Sequence, residues 1–417
     1  MKYDFDNLAN RKDTACIKWN KKFLNMFCGN EEATPYWVAD MEYKAAPEIT
    51  EAAKNLVNYE TYGYSAYSDI KQIFMNFAKK RHNLNLKESQ ISFCQGVLNA
   101  LASMLNIVCE KKDKVIVPFP AYKPFVNIVN ANGYEVLPWK LIRTKDSFEF
   151  DFSTFENLCK EAKVFILCSP HNPSSKVYSK ETLSKICDIA NKYDVFVISD
   201  EIHADLVFKN KEFTSFIEVA KEKNTKTMVA MAPSKTFNIA GEFFSVSLFN
   251  DLELKKKFDD YREALHCSSS PYFSTTIARE AYLKGYPWLM EAIEVLERNA
   301  RHIEKYMEQN IKFIKPIKAE ASFICFWDCN ELLPYIEKDA KDNPSLYNIN
   351  KSSQTGIASM FFANRAGICL NDGTWFGDEE YKGYVRFNYG TSLSDIDSAL
   401  LKIKNAVENL VNQYSNK

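Results

Sequence analysis

Between residues 90 and 250 the chain alternates short apolar runs with stretches whose apolar residues recur every three or four positions. The runs Ile91–Gln95, Lys114–Phe119, Tyr134–Leu141, Val164–Leu167, Val195–Ser199, Met228–Met231 and Phe244–Phe249 are short and largely apolar, the pattern of buried strands. After the first of them, Val97, Leu101, Leu105 and Val108 fall on one helical face, and Ser179 stands where it would cap a helix over 180–192. Residues 46–59 also read as a helix, whereas 1–45 read as irregular. Beyond residue 251 the pattern turns helical through 251–266 and 278–310. It then returns to strands at 322–328 and 384–390, with a loop at 370–377. Strands alternating with helices predict an α/β fold with a mostly parallel, doubly wound sheet in a large domain, followed by a smaller α+β domain. The expected division is a 1–45 segment packing on the small domain and the pocket, a large domain over 46–285, and a small domain over 286–417.

A chain of 417 residues is long enough for two such cores. Its 53 basic and 54 acidic residues leave a net charge of -1 with both signs interspersed, which predicts no nucleic-acid or membrane partner and points to a small molecule. Eleven cysteines without a regular framework, several in apolar runs, read as reduced thiols. No Cys-x-x-Cys occurs and the five histidines are scattered, so no metal site is expected. Met1–Asp6 lacks an apolar targeting segment and no run of about 18 apolar residues occurs, so the expected location is cytoplasmic.

Candidate chemistry sits where predicted strands end. Lys235 follows the apolar run 228–231 among small and polar residues, a place where an amine is held against a cofactor carbonyl away from bulk water. Asp200 ends the run 195–199, and a carboxylate there is costly without a cationic partner such as a protonated pyridine nitrogen. Gly96, Val97 and Leu98 join a strand to a helix start, which presents free amides and the positive end of a helix dipole to a phosphate; a plain turn is the alternative. Arg386 lies mid-strand between Val385 and Phe387, where a charge needs a partner.

Three ordered motifs carry a resemblance: Ser-Pro-His-Asn-Pro at 169–173, Asp-Glu-Ile-His-Ala-Asp at 200–205 and Ser-Lys-Thr-Phe-Asn-Ile-Ala-Gly at 234–241. Together with Trp-Val-Ala-Asp-Met at 37–41, they resemble the pyridoxal-phosphate enzymes of the class I/II aminotransferase superfamily, and within it the cystathionine β-lyase branch of carbon-sulfur lyases. The resemblance runs from Arg11 to Gly390. It implies a fold-type-I enzyme with pyridoxal 5'-phosphate as cofactor and Lys235 as its Schiff-base lysine and general base. It further implies that Asp200 holds the pyridine nitrogen, Tyr122 stacks on the ring, and Asn172 and His203 bind the ring oxygen. Gly96, Val97, Leu98 and Ser234 would bind the phosphate. Arg386, with Asn172, would bind the substrate carboxylate, and Trp37, Val38 and Ala39 would line the pocket. Tyr64 matches a family tyrosine that crosses a dimer interface to the neighbouring subunit's phosphate, so the resemblance also implies a homodimer with shared active sites.

Two departures from the wider family pattern stand out. Phe243 occupies the place, eight residues after the lysine, where many aminotransferases carry a phosphate-binding arginine, which the lyase branch commonly lacks. Glu242-Phe243-Phe244 is also bulkier and more acidic than expected beside such a site. The resemblance thus implies α,β-elimination of L-cystathionine or a related cysteine conjugate to pyruvate, ammonia and a thiol. Transamination shares the same lysine and stays open, as does an added regulatory binding role on the same scaffold. No Gly-x-Gly-x-x-Gly occurs among only 12 glycines, which argues against a nicotinamide dehydrogenase.

Overall fold

A strand that is apolar along its whole length must be covered on both faces, and covering several at once requires helices on each side of one sheet. The computed structural model, which describes residues 2–64, 66–348 and 355–415, builds that arrangement. Strands β1 (Ile91–Cys94), β2 (Lys114–Phe119), β3 (Glu135–Lys140), β4 (Ala162–Cys168), β5 (Phe196–Asp200), β6 (Thr227–Met231) and β7 (Ser245–Phe249) form one sheet. Their order is β1-β7-β6-β5-β4-β2-β3. Neighbours pair in parallel except at β7, which is antiparallel to both β1 and β6. Because successive side chains point to opposite faces, Val197 and Val229 enter one core while Ile198 and Ala230 enter the other.

The reversed direction of β7 places functional residues. Ser245 pairs with Cys94, and Val246 pairs with Met231, so the segment entering β7 lies at the edge where β1 and β6 end. Glu242, Phe243 and Phe244 therefore meet the carboxyl ends of the parallel strands, the edge at which ligands gather in open α/β sheets.

A second, antiparallel sheet follows: β8 (Lys315–Pro316), β9 (Ile324–Asp328), β10 (Asn371–Asp372) and β11 (Tyr384–Asn388), in the order β8-β9-β11-β10. The N-terminal segment joins this half through a short parallel pairing of Thr34–Pro35 with Ile368–Cys369.

Most expected elements appear within a residue or two of their predicted ends, and Ser179 caps the helix Lys180–Lys192 by accepting a hydrogen bond from the Thr182 amide. Three expectations need correction. Within 1–45, Ile17–Trp19 forms a 3-10 turn and Lys21–Cys28 an α-helix, capped by the Asn20 side chain and ended by Gly29 at φ +73°. The stretch 278–310 is two helices, Tyr272–Lys284 and Tyr286–Asn310, divided at Gly285 because Pro287 starts a helix but cannot continue one. A side chain on Gly285 would also strike the Phe237 ring. The loop 370–377 contains β10 and a helical turn, Thr374–Gly377. Among the described residues, no helix is long and apolar enough to cross a membrane, and no cluster of side chains could hold a metal ion.

Candidate active site

The carboxyl edge of the large sheet encloses a pocket of about 360 Å³. At one end Gly96 links β1 to the helix Val97–Val108 with φ +89°, a conformation that disfavours any side chain. No side chain caps this helix, and the first intrahelical bond runs from the Ala100 amide to the Gly96 carbonyl. The amides of Val97, Leu98 and Asn99 are thus left facing the pocket end, in the geometry that binds an anion.

In the middle of the pocket, β5 delivers Asp200 and β6 delivers Lys235 on the short helix Pro233–Thr236. Asp200 is buried; among the described residues its carboxylate accepts one hydrogen bond, from the Ile202 amide at 3.0 Å, and makes no ion pair. Burial pushes its carboxyl up to about 7, against the opposing pull of that amide and of Lys235. Lys235 donates from Nζ to the Ala39 carbonyl at 2.6 Å. Burial lowers its amine to about 8; Asp40 and Asp200 pull upward and Arg386 downward. The turn that carries Lys235 is anchored next door, where the Thr236 hydroxyl donates to Asp205 Oδ2 at 2.7 Å and His82 Nε2 meets Asp205 Oδ1 at 2.6 Å.

An uncompensated buried carboxylate has a measurable cost. The folded value of Asp200 lies above its unfolded value near ~3.9, so its contribution to stability is intact below that pH and is lost as pH rises through about 7. Asp200→Asn should therefore raise the melting temperature of the cofactor-free protein at pH 8, by the equivalent of about 2–4 kcal/mol, with the gap closing toward pH 4. Thermal melts of both proteins across this range check it, and a gap independent of pH would contradict it.

Around this centre the other expected residues take up distinct positions. Tyr122 follows β2 with its ring edge-on to Phe125 and 5.7 Å from Trp375. Ser234 and His203 line the same pocket. His203 is buried, and burial, reinforced by the charges of Lys235 and Arg386, lowers its ring to about 3, so it is neutral. Asn172 lines the pocket and accepts a hydrogen bond from Arg386 Nη1 at 3.0 Å.

Arg386 stands behind Asn172 on β11, buried, with its Nη2 donating to Asn371 Oδ1 at 2.7 Å and to the Trp37 carbonyl at 2.8 Å. Its Nε has no partner, and no carboxylate lies within ion-pair distance among the described residues. The Phe376 ring lies 5.1 Å from the guanidinium. Burial lowers Arg386 to about 10. A buried cation surrounded only by neutral acceptors is arranged to receive an anion.

Two expected roles change. Trp37 does not present its ring to the pocket: the ring packs on Phe27 at 4.1 Å and its Nε1 donates to the Lys18 carbonyl. The Trp37 carbonyl is what serves the site, by holding Arg386. Val38 likewise contributes its carbonyl, which accepts from Asn388 Nδ2, so of the three only Ala39 lines the pocket. Tyr64 is fully exposed and outside the pocket of its own chain.

Several partners were not legible in the sequence. Asn371 pairs directly with Arg386 across β10 and β11, a register invisible in a segment expected to be a loop. Lys18 is buried and ion-paired to Glu42 at 2.6 Å, and Arg11 to Asp40, which fixes the segment 37–42 over Lys235. Their signal was present, in basic residues at 11 and 18 and acidic ones at 40 and 42, but nothing in the spacing pairs them. Glu242 lines the pocket as expected from its place after Lys235, but its partner was not legible: the Ser274 hydroxyl donates to its carboxylate at 2.8 Å.

The donor set fits pyridoxal phosphate: an amide cup for the phosphate, a flat aromatic, a buried acid for a ring nitrogen, and a lysine of lowered pKa. The fold is that of fold-type-I enzymes, and the chain belongs to the aminotransferase class I and II family, whose model matches residues 38–403. Among individual relatives, it is 30% identical over 407 residues to cystathionine β-lyase PatB of Bacillus subtilis, covering 97% of this chain and 100% of that protein. Cystalysin from Treponema denticola, a structure that contains pyridoxal 5'-phosphate, superposes with a TM-score of 0.87 at 28% identity, covering 98% of this chain and all of the other. N-succinyldiaminopimelate aminotransferase from Mycobacterium tuberculosis shares the fold with a TM-score of 0.75 at 15% identity, covering 89% of this chain and 92% of that one.

Proposed function

We propose that this protein is a pyridoxal-phosphate-dependent carbon-sulfur β-lyase that acts on L-cystathionine or a related cysteine conjugate. The observation that carries the reading is one pocket edge holding a lysine of lowered pKa together with, among the described residues, a buried acid that makes no ion pair and, behind Asn172, a buried guanidinium that makes none either. Bound pyridoxal phosphate supplies an electron sink for negative charge developing at the substrate Cα. With that cofactor bound, Asp200 would hold a proton on the ring nitrogen, and Asn172 and His203 would hydrogen-bond the ring oxygen. The amides after Gly96 and the Ser234 hydroxyl would hold the phosphate. Arg386 and Asn172 bind the substrate carboxylate. Lys235, oriented by the Ala39 carbonyl, takes the Cα proton as general base, which an amine near 8 does efficiently around neutral pH. The Cβ–S bond then breaks with its electron pair leaving on sulfur, and hydrolysis of the remaining fragment gives pyruvate and ammonia.

The segment 37–41, His203 and Phe243 in place of an arginine favour the lyase, and the identity to PatB supports it. In this reading the protein works as a homodimer: the exposed Tyr64, with Tyr59 and Tyr62 exposed nearby in sequence, reaches the phosphate held by the other subunit. Residues 46–285 carry the cofactor, and 286–417 with the 1–45 segment close over the substrate.

The family model also covers aminotransferases, so the test must separate the two outcomes. Purified, cofactor-loaded protein should release pyruvate from L-cystathionine with no 2-oxo acid present. Amino transfer only after a 2-oxo acid is added, without pyruvate, would make it an aminotransferase and overturn the lyase reading.

A further inference from the structure

His203 lines the pocket with a neutral ring, so one of its nitrogens carries a proton and the other does not. Which one is decided by Ser322, a residue of the chain entering β9. The Ser322 hydroxyl lies 2.9 Å from His203 Nδ1, its one hydrogen-bond partner among the described residues. Ser322 is buried, so its proton has one acceptor available. If Nδ1 carried the ring proton, the hydroxyl proton would be buried with nothing to receive it, the costlier arrangement. The hydroxyl therefore donates to Nδ1. The proton of the imidazole sits on Nε2, which has no partner among the described residues.

The backbone at Ser322 is consistent with a position held for a purpose. Its φ is +69°, a left-handed conformation that a serine adopts only at a cost and that glycine adopts freely. The surroundings hold it there: the Ser322 amide donates to the Leu206 carbonyl at 3.0 Å, and the Tyr389 hydroxyl donates to the Ser322 carbonyl at 3.1 Å. The Phe323 ring packs edge-on to His203 at 5.9 Å and limits its rotation. A residue in a strained conformation whose one side-chain hydrogen bond among the described residues falls on a group lining the pocket ties the strain to the site.

We infer that Ser322 is a positioning residue, which fixes the tautomer of His203 so that Nε2–H is a hydrogen-bond donor to the ring oxygen of the bound cofactor. The inference rests on the cofactor reading given above. A donor at that oxygen stabilises its negative charge most when the oxygen does not share a proton with the neighbouring lysine nitrogen. Losing the donor should therefore make that nitrogen hold its proton to higher pH. The charged groups that face His203 are Lys235 and Arg386, and both remain in the variants below.

The test separates this role from a structural one. Ser322→Gly removes the hydroxyl and relieves the left-handed strain. It should leave the melting temperature unchanged or higher, while shifting the pH midpoint of the visible absorbance of the cofactor-loaded protein upward by about half to one unit. Ser322→Ala should give the same spectral shift with a lower melting temperature. In a His203→Phe background, adding Ser322→Gly should shift the midpoint no further, because the group it positions is gone. A shift that persists in that background, or an unshifted Ser322→Gly protein that still binds cofactor, would overturn the inference. Wild-type protein that develops no visible absorbance with added pyridoxal phosphate would instead overturn the cofactor reading.

Discussion

Lys235→Ala should abolish both turnover and the visible absorbance that pyridoxal phosphate gives when joined to the protein. One substitution removes the covalent attachment point and the general base together, and general-base loss alone is worth about 10²–10⁴-fold. Turnover should fall at least about 10⁴-fold, since no other group lining the pocket replaces the amine: Arg386, whose charge is felt at Lys235, stays protonated and is engaged by Asn172, Asn371 and the Trp37 carbonyl. Mixing this variant with Tyr64→Phe subunits tests the shared site in the same experiment. If Tyr64 acts across an interface, a mixed dimer recovers one intact site, and random mixing should restore about a quarter of the native rate. Retained activity in Lys235→Ala would sink the assignment of the whole pocket, whereas failure of the mixture to recover would count only against Tyr64.

The large sheet was legible because its strands are buried on both faces, so hydrophobicity and β-branching speak without interference from surface residues. Asp200 and Lys235 were legible for a related reason, as charged residues placed where apolar strands end. Arg386 is the counterpart on the small sheet, a charge between two buried apolar neighbours. What escaped was of two kinds. The helix Lys21–Cys28 had its signals, with Asn20 to cap it, Gly29 to end it and Leu24 and Cys28 one turn apart facing the core, but a single helix without a repeating partner does not stand out. The direction of β7 could not be read, because one apolar strand looks the same either way; Glu242 and Phe243, expected beside the site from their place after the lysine, reach the pocket through the connection that reverses the strand.

The second kind concerns which atom of a residue does the work. Trp37 and Val38 lie in a motif that resembles the family, and the segment does border the site, yet it serves through carbonyls while the Trp37 ring packs among Leu24, Cys28 and Cys369. Ser322 and Asn371 illustrate the limit from the other side. Both are ordinary polar residues in sequence, and each gains a role only because a strand register or a left-handed turn sets it against His203 or Arg386. Pairwise contacts of that kind follow from the fold and not from spacing.

Arg386 carries the second large effect. Its guanidinium is already desolvated, and its three hydrogen-bond partners are all neutral, so the protein bears the cost of a buried charge whose return comes when a carboxylate arrives. A carboxylate taking the two-pronged fork would exchange bonds now made to neutral oxygens for charge-assisted ones of about 1.5–3 kcal/mol each. Arg386→Lys keeps the charge but loses the fork, and kcat/KM for the amino-acid substrate should fall about 10²–10⁴-fold, chiefly through KM. Arg386→Met should fall further in kcat/KM, yet its cofactor-free form should melt no lower than the native protein, because replacing an unpaired buried ion by an apolar group of similar volume removes a desolvation cost. Steady-state kinetics and thermal melts of the two variants check this together. A KM left near the native value in Arg386→Lys would show that the carboxylate binds elsewhere. A collapse in the melting temperature of Arg386→Met, with little effect on KM in Arg386→Lys, would make the guanidinium a brace for Trp37, Asn172 and Asn371 and not the anion site. The unfilled Nε and the absence of any carboxylate within ion-pair distance among the described residues weigh against that brace, since a purely structural arginine at this depth would be expected to have its charge met.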